Sequence, residues 1–549
     1  MDNKEIVKRF DQHRSDRTVV EGEWDIIERY IYPLGGGKFF QDSVSEGEMD
    51  WNRSRYIYDS TAIMAHQTLA ASIQSNIAPL SGRWFDMRFK QNDLNSDLES
   101  QQWIEECSET IYQTLQESNF NLEFGKSCMD ISAFGNTAIV EEVPNEVEWE
   151  GISFSSIPIR EIFFDPDKNN QIGNLYRRLQ WVPSKIISKF GEENVPKEVI
   201  EKWEAGNVQK QEIIFCVFVR KDKADADTSK ALAPKERPFG YKYVLKVGLE
   251  TLGEEGGYYE MPAFFASWAK ASGSKWGYGP AGTAKGDTIT LNDTVRMKLQ
   301  AAAKMINPPI LTTQRNIIGD LDIEPGGETV VRDLNGTKPM ETGADFAAAN
   351  DLIDRLQDSI RRIFHNDQLT LKESPAMTAT EVQVRYELMQ KVLGTVLGQL
   401  QTGLLDPIVQ RTFSILTRAG RLPEMPDKVR ELQGTVEIEY TGPMARSQKA
   451  DKAVAMERYI MTLSQAAQIF PEMMDVVEPE DYARKIAEYM GVPADALRDE
   501  KAVAKVQEER ATAQEEQKKM VQEESQAKVL KDGGQGAAAI AGVMGDEQG

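Results

Sequence analysis

Histidine and cysteine are almost absent, at three residues each in a chain of 549. His13, His66 and His365 are too scattered for a His-based triad or a familiar zinc site. Cys107, Cys128 and Cys216 are odd in number, far apart and outside any CxxC pair. That excludes a disulfide framework and points to synthesis in a reducing cytosol. No apolar run approaches the roughly 20 residues that cross a bilayer. The opening MDNKEIVKRFDQHRSDR has no apolar core and is expected not to be a signal peptide. Basic excess is missing too: the formal net charge is −23 and the pI near 4.8. Tight static binding to DNA needs a cationic stripe, so this balance argues against it. It does not argue against DNA passing by, because an acidic wall repels a polyanion and lets it slide.

Recognisable catalytic motifs are also lacking. No H-E-x-x-H, G-x-S-x-G or G-x-x-x-x-G-K-[ST] occurs. GGGKFF at 35–40 imitates a phosphate loop without its upstream glycine or the Ser/Thr after Lys38. Asp165-Pro-Asp167-Lys-Asn169 imitates the start of a calcium loop, but Asn170 and Tyr176 stand where Gly and Glu belong. No cofactor, no metal and no enzymatic activity are expected.

What is present is ordinary soluble composition, 40% hydrophobic and 28% charged, over a length that implies roughly three or four domains. The fold class read from the pattern is α+β. A polar amphipathic helix opens the chain. Residues 56–80 read as a helix with Ile63, Gln67, Ala70, Ala71, Gln74 and Ile77 on one face, started by Asp59 or Ser60 and closed by Pro79. SGRWFDMRF reads as a strand. Residues 98–118 read as a helix with Trp103, Ile104, Cys107, Ile111 and Leu115 inward. CMDISAFGNTAIVEEV predicts a helix end, a turn at Gly135 and a strand. Strands follow through 151–164, 174–190 (with a helix) and 211–220, then a polar surface tip at 221–237 and the strands of YKYVLKV and YYEMPAFFASWAK.

From Gly279 to Arg418 the pattern turns helical, with one strand-like insert. The first helix, 281–305, carries Leu291, Val295, Leu299, Ala302 and Ile306 on one face and ends at Asn307-Pro308-Pro309. The insert 306–343 has strand-like PILTT and ETVVRD divided by the turn EPGG. The second helix, 344–366, sets Phe346, Ala349, Ile353, Leu356, Ile360 and Ile363 at near-heptad spacing, which suits side-by-side packing. After NDQLTLKESPAM, a capping box at Thr378–Glu381 opens a long helix. Pro407 must kink or restart that helix, and Gly420 with Pro423 ends it. GTVEIEYT at 434–441 is a strand that must return to an earlier sheet. Amphipathic helices at 448–464 and 479–490 follow, then a polar tail from about 498.

Three segments carry a resemblance: GYGPAGTAKGDTITLNDTVRMKLQAAAKMINPPI, SPAMTATEVQVRYELMQKVLG and LLDPIVQRTFSILTRAGRLP. With RYIYDSTAIMAHQTLAASIQSNIAPLSGRWF and IPIREIFFDPD…LYRRLQW, in order, they resemble the head-to-tail connecting (portal) proteins of podovirus-type phages over about residues 20–490. The resemblance implies a wing (1–276 and 379–446), a stem (277–305 and 344–366), a clip (306–343), a tunnel loop (367–378) and a crown (447–497). A polar, flexible tail (498–549) stands where longer relatives carry a barrel.

It further implies a homododecameric ring at a capsid vertex of a short-tailed virion, made in the host cytoplasm. Its partners would be terminase, major capsid protein, scaffold protein, tail adaptor proteins, internal ejection proteins and double-stranded DNA in transit, with no membrane. The expected DNA-channel residues are Lys372, Lys285, Arg296, Lys298 and Lys304, among acidic belts from Asp345, Asp351, Asp354, Asp358 and Asp367. The expected motor and adaptor contacts are Arg315, Asp320, Asp322, Glu324 and Arg332. The alternatives are another ring-forming virion protein, such as a tail adaptor or scaffold, which is usually much shorter, and a metal-dependent nuclease, which needs clustered acidic ligands.

Overall fold

The computed structural model describes residues 2–33, 56–80, 82–95, 97–143, 149–166, 172–206, 211–221, 232–271, 273–313, 315–322, 328–340, 346–369, 394, 396–432, 434–441, 443–490 and 492, and isolated positions between 503 and 520. The chain divides into two compact units. One comprises Met1–Met87, Cys107–Pro423 and Ile438–Ala445. The other comprises Arg88–Glu106, Glu424–Glu437 and Arg446–Gly549. In chain order the first elements are α1 (Asn3–Tyr30), α2 (Thr61–Ile77), β1 (Phe85–Phe89), α3 (Leu98–Glu117), α4 (Phe120–Phe134) and β2 (Asn136–Glu142).

The first unit is built on two antiparallel sheets. β2 is flanked by β3 (Ser153–Ser156) and β9 (Ala263–Ser267). The second sheet runs β4 (Ile162–Pro166), β5 (Ile172–Trp181), β6 (Glu212–Arg220), β7 (Phe239–Leu245) and β8 (Thr251–Tyr258), each paired with the next. Helices α5 (Pro183–Phe190) and α6 (Lys197–Glu204) fill the β5–β6 connection. α1 lies across this sheet because Ile6 and Phe10 enter a core with Phe163, Tyr176, Phe215, Val217 and Val244. The Phe10 ring meets Phe163 edge-on at 4.5 Å. Burying side chains of this size contributes about 2 kcal/mol each.

The same stripe of α1 then turns polar, with His13, Arg17 and Glu21 all buried. His13 and Arg9 hold Asp165 at 3.0 and 3.4 Å, and the Tyr176 hydroxyl donates to it at 3.1 Å. Burial works to raise the Asp165 carboxyl, but these three neighbours outweigh it and hold it at about 2. The calcium-loop imitation therefore begins on a carboxylate already occupied. Positions 167–170 of that imitation and the GGGKFF segment lie outside the described residues.

The expected helix at 56–80 forms, but its inward face differs. Ala62, Ala65, His66, Leu69, Ala70, Ile73 and Ile77 are buried, while Gln67 and Ala71 are exposed. The buried residues recur at three- and four-residue spacing, with Gln67, Thr68, Ser72, Ser75 and Asn76 on the other side, so the inward face is the line of small residues with Leu69 and Ile73. Thr61 N donates to the Asp59 carboxylate at 2.8 Å, which makes Asp59 the starting acceptor. On α3, Trp103, Ile104, Cys107, Ile111 and Leu115 are all buried, as the spacing predicts.

α4 ends at Gly135, whose φ of +71° is the left-handed region. There the helix end meets the start of the long helix α7 (Pro280–Ile306) so closely that a Cβ on Gly135 would lie 2.5 Å from Gly279 N. Asn136 seals this junction. Its amide donates to Phe134 O and Gly277 O, and its oxygen accepts from Gly277 N at 2.7 Å.

Pro407 restarts its helix after a π-helical turn over Gln401–Leu405. Asp406 N donates five residues back to Gln401 O, and α9 (Asp406–Arg418) continues. The Tyr440 hydroxyl bonds to the Asp406 carboxylate at this turn. Behind it, Arg411 and Thr412 reach Glu141, a fully buried carboxyl that burial, opposed by Arg411, pushes up to about 7. The expected return strand is β12 (Val436–Tyr440), paired with β1, and Thr441 N donates to Trp84 O at 2.8 Å.

In the second unit, Phe89 stacks on Trp103 at 6.1 Å and Asn95 brackets the Phe89 backbone from both sides. Lys428 and Ser100 hold the Asp97 carboxylate at about 2. Helices α10 (Pro443–Ala467) and α11 (Pro479–Met490) form a hairpin, with the Tyr482 hydroxyl donating to Met456 O at 2.9 Å. α10 starts five residues before the expected 448, because Pro443 suits a first helical turn.

One buried acid gives a pH prediction. Asp130 on α4 lies 7% exposed, and burial, with Lys126 opposing, pushes its carboxyl up to about 8. The ordinary value is 3.8. Between those values the folded chain keeps a proton that the unfolded chain has lost. The stability from this group is therefore full below about pH 4 and falls by about 1.4 kcal/mol per unit as pH rises towards 8. Asp130→Asn is expected to flatten that slope in urea unfolding followed from pH 4 to pH 8. An unchanged slope contradicts it.

Candidate functional site

Lys285, Arg296, Lys298 and Lys304 lie on α7, and Asp351, Asp354 and Asp358 on α8 (Phe346–Ile363), the two helices of an antiparallel hairpin in the first unit. Two polar rungs set its register. Lys298 Nζ donates to Asn350 at 2.6 Å, and Ser359 Oγ donates to Asp287 at 2.6 Å. Ile353 and Ile360 are buried between the helices, on the face the heptad spacing predicts.

The hairpin root is fixed by side chains gripping distant backbone. Asn292 accepts from Tyr58 N at 2.7 Å and donates to Tyr56 O at 3.0 Å. Gln357 donates to Asp59 at 2.8 Å. Lys285 forms an ion pair with Glu23 of α1. At the far end of α8, Phe364 is buried against His66, with ring centroids 6.2 Å apart.

α7 is 27 residues long, about 40 Å, and its two halves differ. Pro280, Ala281, Ala284, Thr288, Leu291 and Asn292 are buried. Beyond them Met297, Leu299, Met305 and Ile306 stand in solvent, Leu299 at 53% and Ile306 at 85% exposure. The second half of α7 therefore leaves these four apolar side chains uncovered along roughly 14 Å.

The insert at the tip has a strand pair, but not the expected one. β10 (Ile310–Thr312) pairs with β11 (Thr337–Pro339), whereas ETVVRD contributes only a single bridge, Val331 to Ile317. The reason is that the insert has almost no apolar core to reward the more apolar segment. Leu311, Ile318, Val330, Leu334 and Met340 are all exposed.

Its centre is instead the buried Asn316. That side chain donates to Asp333 O at 2.9 Å and to the Thr337 hydroxyl at 2.7 Å, and accepts from Asp333 N at 2.8 Å. Asn316→Ala removes three hydrogen bonds to the Asp333 backbone and the Thr337 hydroxyl, at about 0.5–1.5 kcal/mol each. The expected result is rapid limited proteolysis within 306–343 while the remaining chain resists. Unchanged cleavage contradicts this role.

The other candidates fall as follows. Arg296 pairs with Asp293 at 3.1 Å, and Lys304 is exposed without an ion pair among the described residues. Asp351 pairs with Arg355 and Asp358 with Arg361 on the outer side of α8. Arg315 is exposed, with φ +65°. Asp320 and Asp322 are exposed, and Asp322 N and O both bond to the Thr329 hydroxyl. Arg332 is exposed, and its backbone N donates to Asn316 O at 2.8 Å. Lys372, Glu324 and Asp345 lie outside the described residues, as does the Thr378–Glu381 capping box.

Asn136, Asn292, Asn316 and Gln357 had no signal in the sequence, because each binds a segment remote in the chain or lies in irregular backbone. Among the described residues no group of His, Cys, Asp or Glu is placed to hold a metal ion, and no helix is long and apolar enough to cross a membrane.

The sequence matches the family described as bacteriophage head to tail connecting protein over residues 3–497. It is 26% identical over 521 residues to the probable portal protein of Bordetella phage BPP-1, covering 92% of this chain and 91% of that protein. It is 24% identical over 522 residues to the portal protein of Salmonella phage epsilon15, again covering 92% and 91%. A solved structure titled the neck of an empty GTA particle computed with C6 symmetry gives a loose likeness. Its TM-score is 0.36 at 10% identity, over 75% of this chain and 90% of that one.

Proposed function

The chain belongs to the bacteriophage head to tail connecting protein family, and from that footing we propose that it forms a homododecameric portal ring at one capsid vertex of a short-tailed phage. The ring is the conduit through which double-stranded DNA is packaged and later ejected. The observation that carries this reading is the hairpin whose outer half leaves Met297, Leu299 and Ile306 uncovered on a rooted, 27-residue helix. Copies arranged around an axis cover such a surface, and head-to-tail contacts that close make a ring.

In the ring each residue becomes a belt of charge. Asp351, Asp354 and Asp358 supply acidic belts on α8, in keeping with a chain of net charge −23. DNA slides past such walls without sequence-specific contacts. Lys304 and Lys372 are the cations proposed to touch phosphates briefly. Lys285, Arg296 and Lys298 already have partners within the chain, which makes them weaker phosphate ligands.

In this reading residues 277–305 and 344–366 are the stem, 306–343 the clip and 367–378 the tunnel loop. Residues 1–276 and 379–446 form the wing, and 447–497 the crown. The clip offers Arg315, Asp320, Asp322, Glu324 and Arg332 to terminase and afterwards to tail adaptor proteins. Its exposed Leu311, Ile318 and Leu334 give those partners apolar area to bury. The crown and polar tail face the capsid interior, towards scaffold and ejection proteins, and the wing meets the major capsid protein. No reaction is assigned to the chain, since the ATPase that drives DNA inward is the terminase.

Immunogold labelling of the assembled virion tests the reading. One labelled vertex per particle, at the tail, is expected. Label on every vertex, or none on the virion, contradicts it.

A further inference from the structure

In the second unit the chain passes from α10 to α11 through residues 468–478, with a short helical turn at Pro471–Val476. Between Arg458 and Arg484 the sequence has no Lys, Arg or His, yet it has the acids Glu472, Asp475, Glu478, Glu480 and Asp481. Glu480 and Asp481 lie in the first turn of α11, where a helix start favours acids, and Glu480 also pairs with Arg484 at 2.9 Å. Glu472, Asp475 and Glu478 come before that turn, exposed and without an ion pair among the described residues.

The same connection holds large apolar side chains in solvent. Ile469 is 74% exposed, Phe470 60% and Val476 75%. Six residues of such a turn span about 12 Å at most, so these three lie close together with carboxylates between and beside them. Grouped apolar side chains rimmed by charge mark a surface that another molecule covers. The acids repel DNA and an anionic membrane alike. Symmetry disfavours a neighbouring copy. A closed ring sets the same residue of every copy at one height, so each acidic turn is level with the next copy's acidic turn.

We propose that the 468–478 connection docks a cationic amphipathic helix of another protein, with Lys or Arg along one side and aliphatic residues beside them. Ile469, Phe470 and Val476 cover the aliphatic side, and Glu472, Asp475 and Glu478 meet the cations. Charge complementarity picks this occupant, since the connection offers acid and apolar area and no base. The proposal rests on the ring reading above and adds to it the chemistry of a partner for residues 447–497. In the ring each subunit supplies one such docking turn, and together the turns make an acidic belt.

Fluorescence anisotropy of a labelled synthetic helix of Lys and Leu, titrated with the full-length protein, tests this. Binding that weakens as salt rises is expected. Glu472→Gln with Asp475→Asn and Glu478→Gln is expected to raise the Kd at least about tenfold, and so is Ile469→Ser with Phe470→Ser. These side chains are all exposed, so both variants are expected to keep the wild-type melting profile. Glu192→Gln with Glu193→Gln and Glu198→Gln removes the same charge from exposed positions elsewhere and is expected to leave the Kd unchanged. A helix of Lys and Ser, with no aliphatic side, is expected not to compete. Equal weakening by the two charge variants means that the peptide reads net charge, and it overturns the proposal. A wild type that does not bind the peptide overturns it as well. Sedimentation of the same samples reports the ring separately. Turn variants that no longer assemble place a second copy on the turn and overturn the proposal. A wild type that is monomeric at every concentration contradicts the ring reading, while the anisotropy still decides what the turn binds.

Discussion

Arg17→Met is expected to destabilise the first unit by roughly 3–5 kcal/mol, and in a chain with ordinary stability that is a large share of the total. Arg17 is 2% exposed on α1. Its guanidinium donates to the carbonyls of Ile159, Arg160 and Ile162 at 3.0, 2.8 and 2.6 Å, and to Glu21 at 2.6 Å. It also lies 3.6 Å from the centre of the Phe163 ring. Burial lowers its pKa to about 10, with Glu21 opposing, so it stays charged at neutral pH.

Methionine fills much of the volume but leaves three carbonyls and the buried Glu21 without their donor. Arg17→Lys is expected to rescue little, because one ammonium cannot span carbonyls that a planar fork reaches together. Arg17→Met with Glu21→Leu is expected to recover part of the loss by removing the stranded charge. Urea unfolding followed by far-ultraviolet circular dichroism measures all three. An Arg17→Met midpoint within error of the wild type contradicts this account of the α1 anchor.

Gly135→Ala is expected to cost more than about 3 kcal/mol, from two sources. A side chain at φ +71° is strained whatever surrounds it, and here the new Cβ would sit 2.5 Å from Gly279 N and 2.6 Å from the Tyr278 carbonyl carbon. Both contacts are with backbone, so relief requires moving the start of α7, the helix on which the whole hairpin stands. Gly151→Ala is the control. Gly151 has φ +90°, but a Cβ there would meet nothing within 4 Å. It should therefore lose only about 1 kcal/mol. The thermal midpoints of the two variants separate conformational strain from the close helix contact. Equal midpoints contradict the idea that Gly135 and Gly279 fix where the hairpin leaves the sheets.

Much of this fold is legible in the sequence where one physical signal dominates. Gly135 between a helix and a strand, the apolar run QEIIFCVFVR, the α8 stripe from Phe346 to Ile363 and the break at Pro407 each announce an element through backbone limits or a clear period. α2 is different. Its buried stripe is largely alanine, with His66 among the buried residues, and such side chains are weak markers of a face whose covering neighbours are remote in the chain. The insert misleads in another way: ETVVRD has stronger strand composition than TKP, yet Asn316 organises the segment by hydrogen bonds that no spacing rule reveals.

Arg17 and Glu21 show the limit most sharply. Spacing puts them on the buried side of α1, while composition alone assigns them to water. The channel candidates divide on the same ground, since sequence reveals cations but not their partners. Lys285 and Lys298 are already engaged, whereas Lys304 has no ion pair among the described residues.

Electron microscopy of the purified full-length protein, at low and high concentration and with scaffold protein added, tests the central claim most directly. Rings with an open central hole, assembled from twelve copies, are the predicted result. Uniform small particles at every concentration, with and without scaffold, contradict it.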